Sequence, residues 1–481
     1  MKYYLPKKIY CLKHYGETNN LLKKAPLQVN LSPEGCTSFK KGDALVLDFG
    51  KENCGGLRVL TCTVMKSGKF AEGRIHITFG ESYMEALSRV GEKGAGNDHA
   101  IRDFTAELTS YSDMTFGDTG YRYVRVEFID DAEYLIKRFF GGCEIKRRKQ
   151  IYKYKGKDPL ISKIFSVAKR TIDLCSSRGY VWDGIKRDRL IWAGDIYPEM
   201  LALVTLYGRC AEVENSLDYV LAETGEGEWM NTVPAYSAWW VITVADYAAM
   251  TGNKDYLIKH MPDIKRIIRQ IDRYVDEEGQ MHFDYYFVDW PTHGKPDEYA
   301  GVRAVNIMAA KRAVSAAEEL KEEFPEARAL LGKLLKKEMR AESAKQIIAL
   351  KYFAAGELRE EEKRALIKGG DEGMSTFMSY FILTAVSALF GKNQAEKLMK
   401  DYYGKMLSCG ATTFWEDFDT AWLREDSTVE HCTREEDDIH GSNGKFCYKG
   451  YRHSLCHGWS TGVIRFIYEH SEQDGENAIQ T

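Results

Sequence analysis

The stretch Trp182-Asp183-Gly184-Ile185-Lys186-Arg187-Asp188-Arg189-Leu190-Ile191-Trp192-Ala193-Gly194-Asp195 decides how the rest of the chain is read. Asp183, Asp188 and Asp195 fall within thirteen residues, interleaved with Arg187 and Arg189 and bracketed by Trp182 and Trp192. Carboxylates set between aromatic faces suit a sugar-cleaving site. The acids supply proton transfer and grip hydroxyls, and indoles stack on the C–H faces of a sugar ring. Taken singly, Asp183 also suits a helix cap or turn, and Asp195 a structural anchor.

Outward from this stretch the chain changes character. All nine Trp lie between positions 182 and 459, and the first 180 residues hold none. Upstream the pattern has a period of two. Leu45, Leu47 and Phe49 alternate with their neighbours, as do Ile75, Ile77 and Phe79, and Val124, Val126 and Phe128. Gly50 and the Gly55-Gly56 pair punctuate these runs. This predicts an antiparallel sheet arranged as a sandwich. Near residue 158 the period becomes helical, with Ile161, Ile164, Phe165, Ala168, Ile172 and Cys175 on one face. Helices are expected over roughly 196–208, 210–223, 236–252, 254–276, 302–322, 326–350, 359–368, 375–390, 392–405 and 454–469. Uneven successive helical hairpins with no fixed repeat fit a closed helical toroid better than an open solenoid.

Composition removes several classes of function. The 67 basic and 71 acidic side chains leave a net charge of −4, so no electrostatic case exists for nucleic acid. No apolar run is long enough to span a membrane or to act as a signal peptide, which points to the cytoplasm. The 11 Cys are odd in number and follow no disulfide framework. Cys432, Cys447 and Cys456, with His431, His440, His453 and His457, do not combine a C-x2–4-C pair with a His pair into a zinc-site pattern. Neither a metal nor another cofactor is expected. The Gly91–Asp98 segment lacks the Lys-Ser/Thr of a phosphate loop and is expected to be an exposed loop.

Further chemistry-bearing segments lie downstream. Gly410-Ala411-Thr412-Thr413-Phe414-Trp415-Glu416-Asp417 places a Glu after a Trp, beside an expected helix start. Phe287-Val288-Asp289-Trp290-Pro291 and His453-Ser454-Leu455-Cys456-His457-Gly458-Trp459 repeat the grouping of small, aromatic and acidic or imidazole side chains.

In chain order, these motifs resemble the α-L-rhamnosidases of glycoside hydrolase family 78. Asp183, Arg187, Asp188, Leu190, Trp192, Gly194 and Asp195 fall on the spacing of that family's acidic motif. Thr412, Thr413, Phe414, Trp415 and Glu416 match its base motif, and His457 its late histidine. The strands Leu47-Asp48-Phe49-Gly50 and Gly120-Tyr121-Arg122-Tyr123-Val124 are similar to the sandwich that precedes the family's catalytic domain. The resemblance implies an N-terminal antiparallel β-sandwich over residues 1–150, followed by an (α/α)6 barrel over 151–481. It implies an inverting exo-hydrolase releasing a terminal α-L-rhamnose or a related deoxysugar, with Asp188 as general acid and Glu416 as general base. Asp183, Asp195, Arg187 and His457 would hold sugar hydroxyls. Trp192 and Trp290 would line the sugar pocket, with Asp289 in the same set and Trp239 or Trp240 as a further wall. The partner implied is a carbohydrate, and the oligomeric state is left open.

Two departures bear on activity. The family has Glu where this chain has Asp188, one methylene shorter, which withdraws the acid by roughly 1 Å; a misplacement of that order can cost about 10²-fold in rate. The family's C-terminal β-domain has no counterpart in the 24 residues after His457, and residues 426–449 read as an inserted loop. Two other readings therefore stand beside the first. One is a weakly active or inactive carbohydrate-binding protein on this scaffold. The other is a hydrolase for a different sugar.

Overall fold

A computed structural model describes residues 1–14, 16–24, 28–97, 101–187, 189–443 and 448–470. Asp188, Asp98 and Cys447, named above, lie outside the described residues.

Among the described residues, nine antiparallel strands make one connected sheet. They are β1 (Lys2–Tyr4), β2 (Lys8–Lys13), β3 (Thr37–Lys40), β4 (Ala44–Lys66), β5 (Lys69–Phe70), β6 (Gly73–Gly80), β7 (Asp103–Leu108), β8 (Ser112–Phe128) and β9 (Glu133–Cys143). The two longest strands fold the sheet onto itself. Residues 44–48 of β4 pair with β2 on one side and with the end of β8 on the other. Past a register break, residues 57–65 pair with β9, and residues 57–61 also with the start of β8. Gly56 sits at this crossing. A Cβ there would lie 2.3 Å from the Gly117 carbonyl oxygen, so only glycine lets the two backbones meet.

The inner faces of the two halves share a core. Leu45, Leu47, Phe49, Ile75, Ile77, Phe79, Val124, Val126 and Phe128, the period-two positions of the sequence, are all buried in it. Phe39, carried by β3, stacks on Phe128 of β8 with centroids 4.4 Å apart. Each such side chain contributes about 1.5–3 kcal/mol by leaving water. The outer face is covered in part by the short helix Tyr83–Leu87, which packs Tyr83 and Ala86 on Val46 and Tyr123.

Helices follow from Pro159–Cys175 onward. Many of the breaks fall where the sequence placed them. Helix Pro234–Thr251 ends at Gly252, whose φ of 66° is left-handed, and the Asn253 side chain caps Lys254–Asp272 by accepting from the Tyr256 amide. Two expectations are corrected. The single helix over 326–350 is two, Pro325–Leu335 and Lys345–Ala355. The amides of Glu342, Ser343 and Ala344 donate instead to Asp297 Oδ2 at 3.0, 3.0 and 3.2 Å, a partner distant in sequence that a local pattern does not reveal. The helix expected over 454–469 starts only at Val463, after a 3-10 turn at Gly458–Gly462. Residues 454–458 spend their backbone groups on other segments: Glu416 N–H donates to Ser454 O, His457 N–H to Phe414 O and Gly458 N–H to Asp183 O.

Helix Ile196–Tyr207 packs on Pro234–Thr251, which packs on Glu298–Leu320, then Lys345–Ala355, then Ser379–Phe390. Val463–His470 touches both Ser379–Phe390 and Ile196–Tyr207. The sheet docks against this helical part through segments that carry the candidate site. Thr119 Oγ1 donates to Lys186 O (3.2 Å), the Glu52 amide donates to Thr412 Oγ1 (2.9 Å), and Arg122 reaches Gly410 O (3.2 Å). Among the described residues no helix is long and apolar enough to cross a membrane.

Candidate active site

A hairpin of two-residue strands, β10 (Ser176–Ser177) and β11 (Tyr180–Val181), turns the chain into the Trp182–Asp195 stretch. That stretch is a tight loop closed by its own first acid. Asp183 Oδ1 accepts from the Gly184 amide (2.7 Å) and the Leu190 amide (3.0 Å), while its carbonyl receives Gly458 N–H. The loop delivers Arg187 inward. Its Nε donates to Arg452 O at 2.9 Å, its guanidinium lies 3.9 Å from the Tyr448 ring centre, and Nη2 bonds Glu416 Oε1.

Glu416 sits in an irregular segment rather than at the helix start expected from sequence. Its backbone is held on three sides. The amide donates to Ser454 O, and the carbonyl accepts from Thr376 Oγ1 (2.6 Å) and Trp459 Nε1 (2.8 Å). The carboxylate is 3% exposed. Arg187 takes Oε1 and the Ser454 amide donates to Oε2 at 3.1 Å. Burial works to raise its pKa, but the Arg187 guanidinium outweighs burial and holds the carboxyl far below its usual range. Glu416 is therefore ionised.

Asp195 precedes helix Ile196–Tyr207 and makes no capping bond. Its Oδ1 accepts from Tyr236 Oη at 3.2 Å. Burial first, then the charge of Asp183, pushes its pKa well above the carboxylate range, with Tyr236 only partly opposing. One helical turn on, buried Glu199 is raised for the same reasons, by burial and then by Asp195 and Asp183, and its Oε1 has no hydrogen-bond partner among the described residues. Gly458 packs directly on this carboxylate: a Cβ at 458 would stand 1.8 Å from Glu199 Oε1. His457 bridges the two acids, with Nε2 4.0 Å from Asp195 Oδ2 and 3.8 Å from Glu416 Oε1. Burial pushes its pKa down to about 3, so it is neutral. The site thus joins an ionised carboxylate, a neutral imidazole and a carboxyl whose pKa is raised by burial, groups suited to accepting and donating protons.

These groups line one cavity of about 340 Å³. Asp183, Arg187, Trp192, Asp195, Trp290, Glu416 and His457 all face it. Three other residues from the sequence reading do not. Trp239 and Trp240 are wholly buried in the helical core. Trp240 Nε1 donates to Leu217 O at 3.0 Å, and Trp239 packs on Tyr197 and Phe381. Their helix carries a single charged side chain, Asp246, so its apolar pattern marks no binding face. Asp289 is buried behind the wall. It accepts from Ser375 Oγ (2.6 Å) and the Thr292 amide (3.1 Å), and so fixes the turn that presents Trp290.

Sequence reading missed Tyr236, Tyr285, Phe287, Asn231, Tyr448 and Trp459 as lining residues. Phe287 and Trp459 lay inside quoted segments, and their neighbours Trp290 and His457 were the available signal. Tyr236 begins an apolar helix and Tyr448 a loop, where nothing local marks them.

A cluster outside the cavity has ligand-like geometry, since Glu81, Glu85 and His440 bring one donor atom each within 4.8 Å of one another. The Lys186 ammonium already supplies the cation there, 3.0 Å from Glu81 Oε2, 3.5 Å from Glu85 Oε1 and 2.9 Å from His440 Nε2.

Comparison with known proteins bears on this arrangement. Residues 149–357 match the bacterial alpha-L-rhamnosidase 6 hairpin glycosidase domain. Among solved structures, a rhamnosidase from Klebsiella oxytoca with rhamnose bound superimposes with a TM-score of 0.74 at 20% identity, covering 97% of this chain and 95% of its own. A family 78 rhamnosidase of Bacillus sp. GL1 gives a TM-score of 0.69 at 17% identity, over 93% of this chain and 48% of its own. The Streptomyces avermitilis alpha-L-rhamnosidase complexed with L-rhamnose gives 0.66 at 15% identity, over 96% and 44%. The chain thus spans nearly all of the Klebsiella protein and about half of the other two. No curated protein matches it. The resemblance read from the motifs holds.

Proposed function

We propose that this chain, whose residues 149–357 are of the bacterial α-L-rhamnosidase six-hairpin type, is an inverting exo-glycoside hydrolase. It releases a terminal α-L-rhamnose or a closely related deoxysugar. The observation that carries the reading is Glu416: a buried carboxylate held ionised at the wall of an aromatic-lined cavity.

The six helices that contact one another in cyclic order support an (α/α)6 barrel over residues 151–481, with residues 1–150 as an accessory sandwich. In this reading Asp188, assigned from its motif position, protonates the departing glycosidic oxygen as the C1–O bond breaks. Glu416 takes a proton from the water whose oxygen bonds C1 from the opposite face. Inversion requires the two carboxyls to stand about 6.5–9.5 Å apart. Asp183, Asp195 and His457 hold ring hydroxyls, and Trp192 and Trp290 flank the sugar. A carboxylate bonded to Arg187 is ionised but a weak base. Transfer of that guanidinium to a sugar hydroxyl restores its basicity when substrate enters. The rhamnose in the Klebsiella and Streptomyces structures makes that sugar the first to test.

Hydrolysis of p-nitrophenyl α-L-rhamnoside tests the reading. Glu416→Gln and Asp188→Asn are each expected to lower kcat about 10³-fold or more with the circular dichroism spectrum unchanged. Proton NMR of the first-formed sugar is expected to show the β anomer. Activity that survives both substitutions, or an α anomer formed first, overturns the mechanism. An inactive wild type that still binds rhamnose makes the chain a binding protein. A large rate gain in Asp188→Glu would show that the short acid limits proton delivery.

A further inference from the structure

Both oxygens of Glu416 are held by groups whose chain neighbours are pinned by one atom of the front sheet. Oε1 is bonded by Arg187 and Oε2 by the Ser454 amide. The residue before Arg187 is Lys186, and the residue after Ser454 is Leu455. Glu81, the residue after β6, has its Oε2 3.0 Å from Lys186 Nζ, and the same oxygen accepts the Leu455 amide at 2.6 Å.

The rest of the Lys186 shell ties the same segments together. Its ammonium donates to Tyr451 O (2.7 Å) and His453 O (2.6 Å), and His453 Nε2 accepts from the Asp417 amide (3.0 Å), next to Glu416. Glu85, on the helix after β6, stands behind Glu81; its Oε2 accepts the Glu81 amide at 2.7 Å. Glu81 and Glu85 are buried, at 1% and 0% exposure. An ion pair merely joining two surfaces needs none of these bonds to converge on the groups around a single carboxylate.

We propose that Glu81, contributed by the β-sheet part, is a positioning residue for the reaction: by holding Lys186 and the Leu455 amide on one oxygen, it sets the two donors that aim Glu416. The claim rests on the reading of Glu416 as base. It makes the sheet part of the catalytic apparatus rather than an appendage, although no atom of Glu81 faces the cavity.

The test uses the full chain and p-nitrophenyl α-L-rhamnoside, with Glu81→Ala, Glu81→Gln and Glu416→Gln compared side by side. Gln at 81 keeps an acceptor for the Leu455 amide and loses the charge opposite Lys186. Displacing the base by a fraction of an ångström to 1 Å is expected to cost about 10²-fold in kcat for Glu81→Ala, with KM within about threefold, because the sugar's own contacts are untouched. Glu81→Gln is expected to fall between that variant and wild type. The concentration of folded protein, from circular dichroism and gel filtration, normalises every rate. Wild-type kcat in Glu81→Ala, or a loss accounted for wholly by unfolded protein in both Glu81 variants, overturns the positioning role while Glu416→Gln remains inactive. Turnover that survives Glu416→Gln instead overturns the reading of the base, and the positioning role falls with it.

Discussion

The two walls of the cavity carry the same functional group in opposite states. Glu416 and Asp195 are both fully buried carboxyls near the same His457. One is ionised because a guanidinium touches it; the other has its pKa raised, first by burial and then by the charges of Asp183 and Glu416, with a tyrosine hydroxyl partly opposing. Burial alone favours the neutral form of both. The difference lies in one cation, and it divides the site into a side that accepts protons and a side that grips hydroxyls as donor and acceptor together.

Removing that cation is the largest way to break the contrast. In Arg187→Met, burial prevails at Glu416 and its pKa rises. The base is then protonated at pH values where it was charged. The expected result is a loss of about 10³-fold in kcat/KM at pH 6, with the acid limb of the pH–rate profile moved upward. An unmoved acid limb would show that Arg187 does not set the charge. The wild-type pairing also has a stability signature. A depressed carboxyl stabilises the fold above its unfolded pKa of about 4.3 and loses that contribution as pH falls below it, so Arg187→Met should flatten the acid side of the melting-temperature profile.

A smaller change sharpens the opposite wall. Tyr236→Phe deletes a hydrogen bond to Asp195. A lost bond of this kind is worth about 1 kcal/mol, so KM should rise roughly fivefold with kcat nearly unchanged in steady-state kinetics. An equal fall in kcat would place Asp195 in the chemical step.

The smallest effect appears in stability rather than rate. Glu199 has a raised pKa, so the fold holds its proton while the unfolded chain releases it. That preference costs nothing below the unfolded pKa of about 4.3 and grows as pH rises toward the folded value. Glu199→Gln should therefore raise the melting temperature at pH 8 and leave it nearly unchanged at pH 4. A uniform shift at both would show that Glu199 is ionised in the fold.

Much of this site was legible because its residues cluster in sequence. Asp183, Arg187, Trp192 and Asp195 share one loop, and Glu416, Trp290 and His457 each carry an aromatic or acidic neighbour as a flag. The period-two strands were legible for a related reason, since alternation is local. What was not legible depends on long-range partners. Asp297 splits a helix from some 45 residues away. Asp289 turns out to brace Trp290 from behind the wall. The adjacent pair Trp239 and Trp240 looked like binding surface, yet a helix with one charged side chain shows too little of its orientation in sequence. Glu81, in a half with no tryptophan, carries no local flag, because its contact with Leu455 joins segments far apart in the chain.

The bare α-carbon at position 458 has a bearing on redesign. The His457–Gly458 segment can lie against the Glu199 carboxylate only because nothing projects there, and the smallest alternative, alanine, would force that buried acid out of place. Libraries aimed at a new sugar preference would therefore waste their diversity on this ribbon. The opposite rim, where Tyr285 and Trp290 are partly open to solvent, offers room to vary shape without unseating the acids beneath.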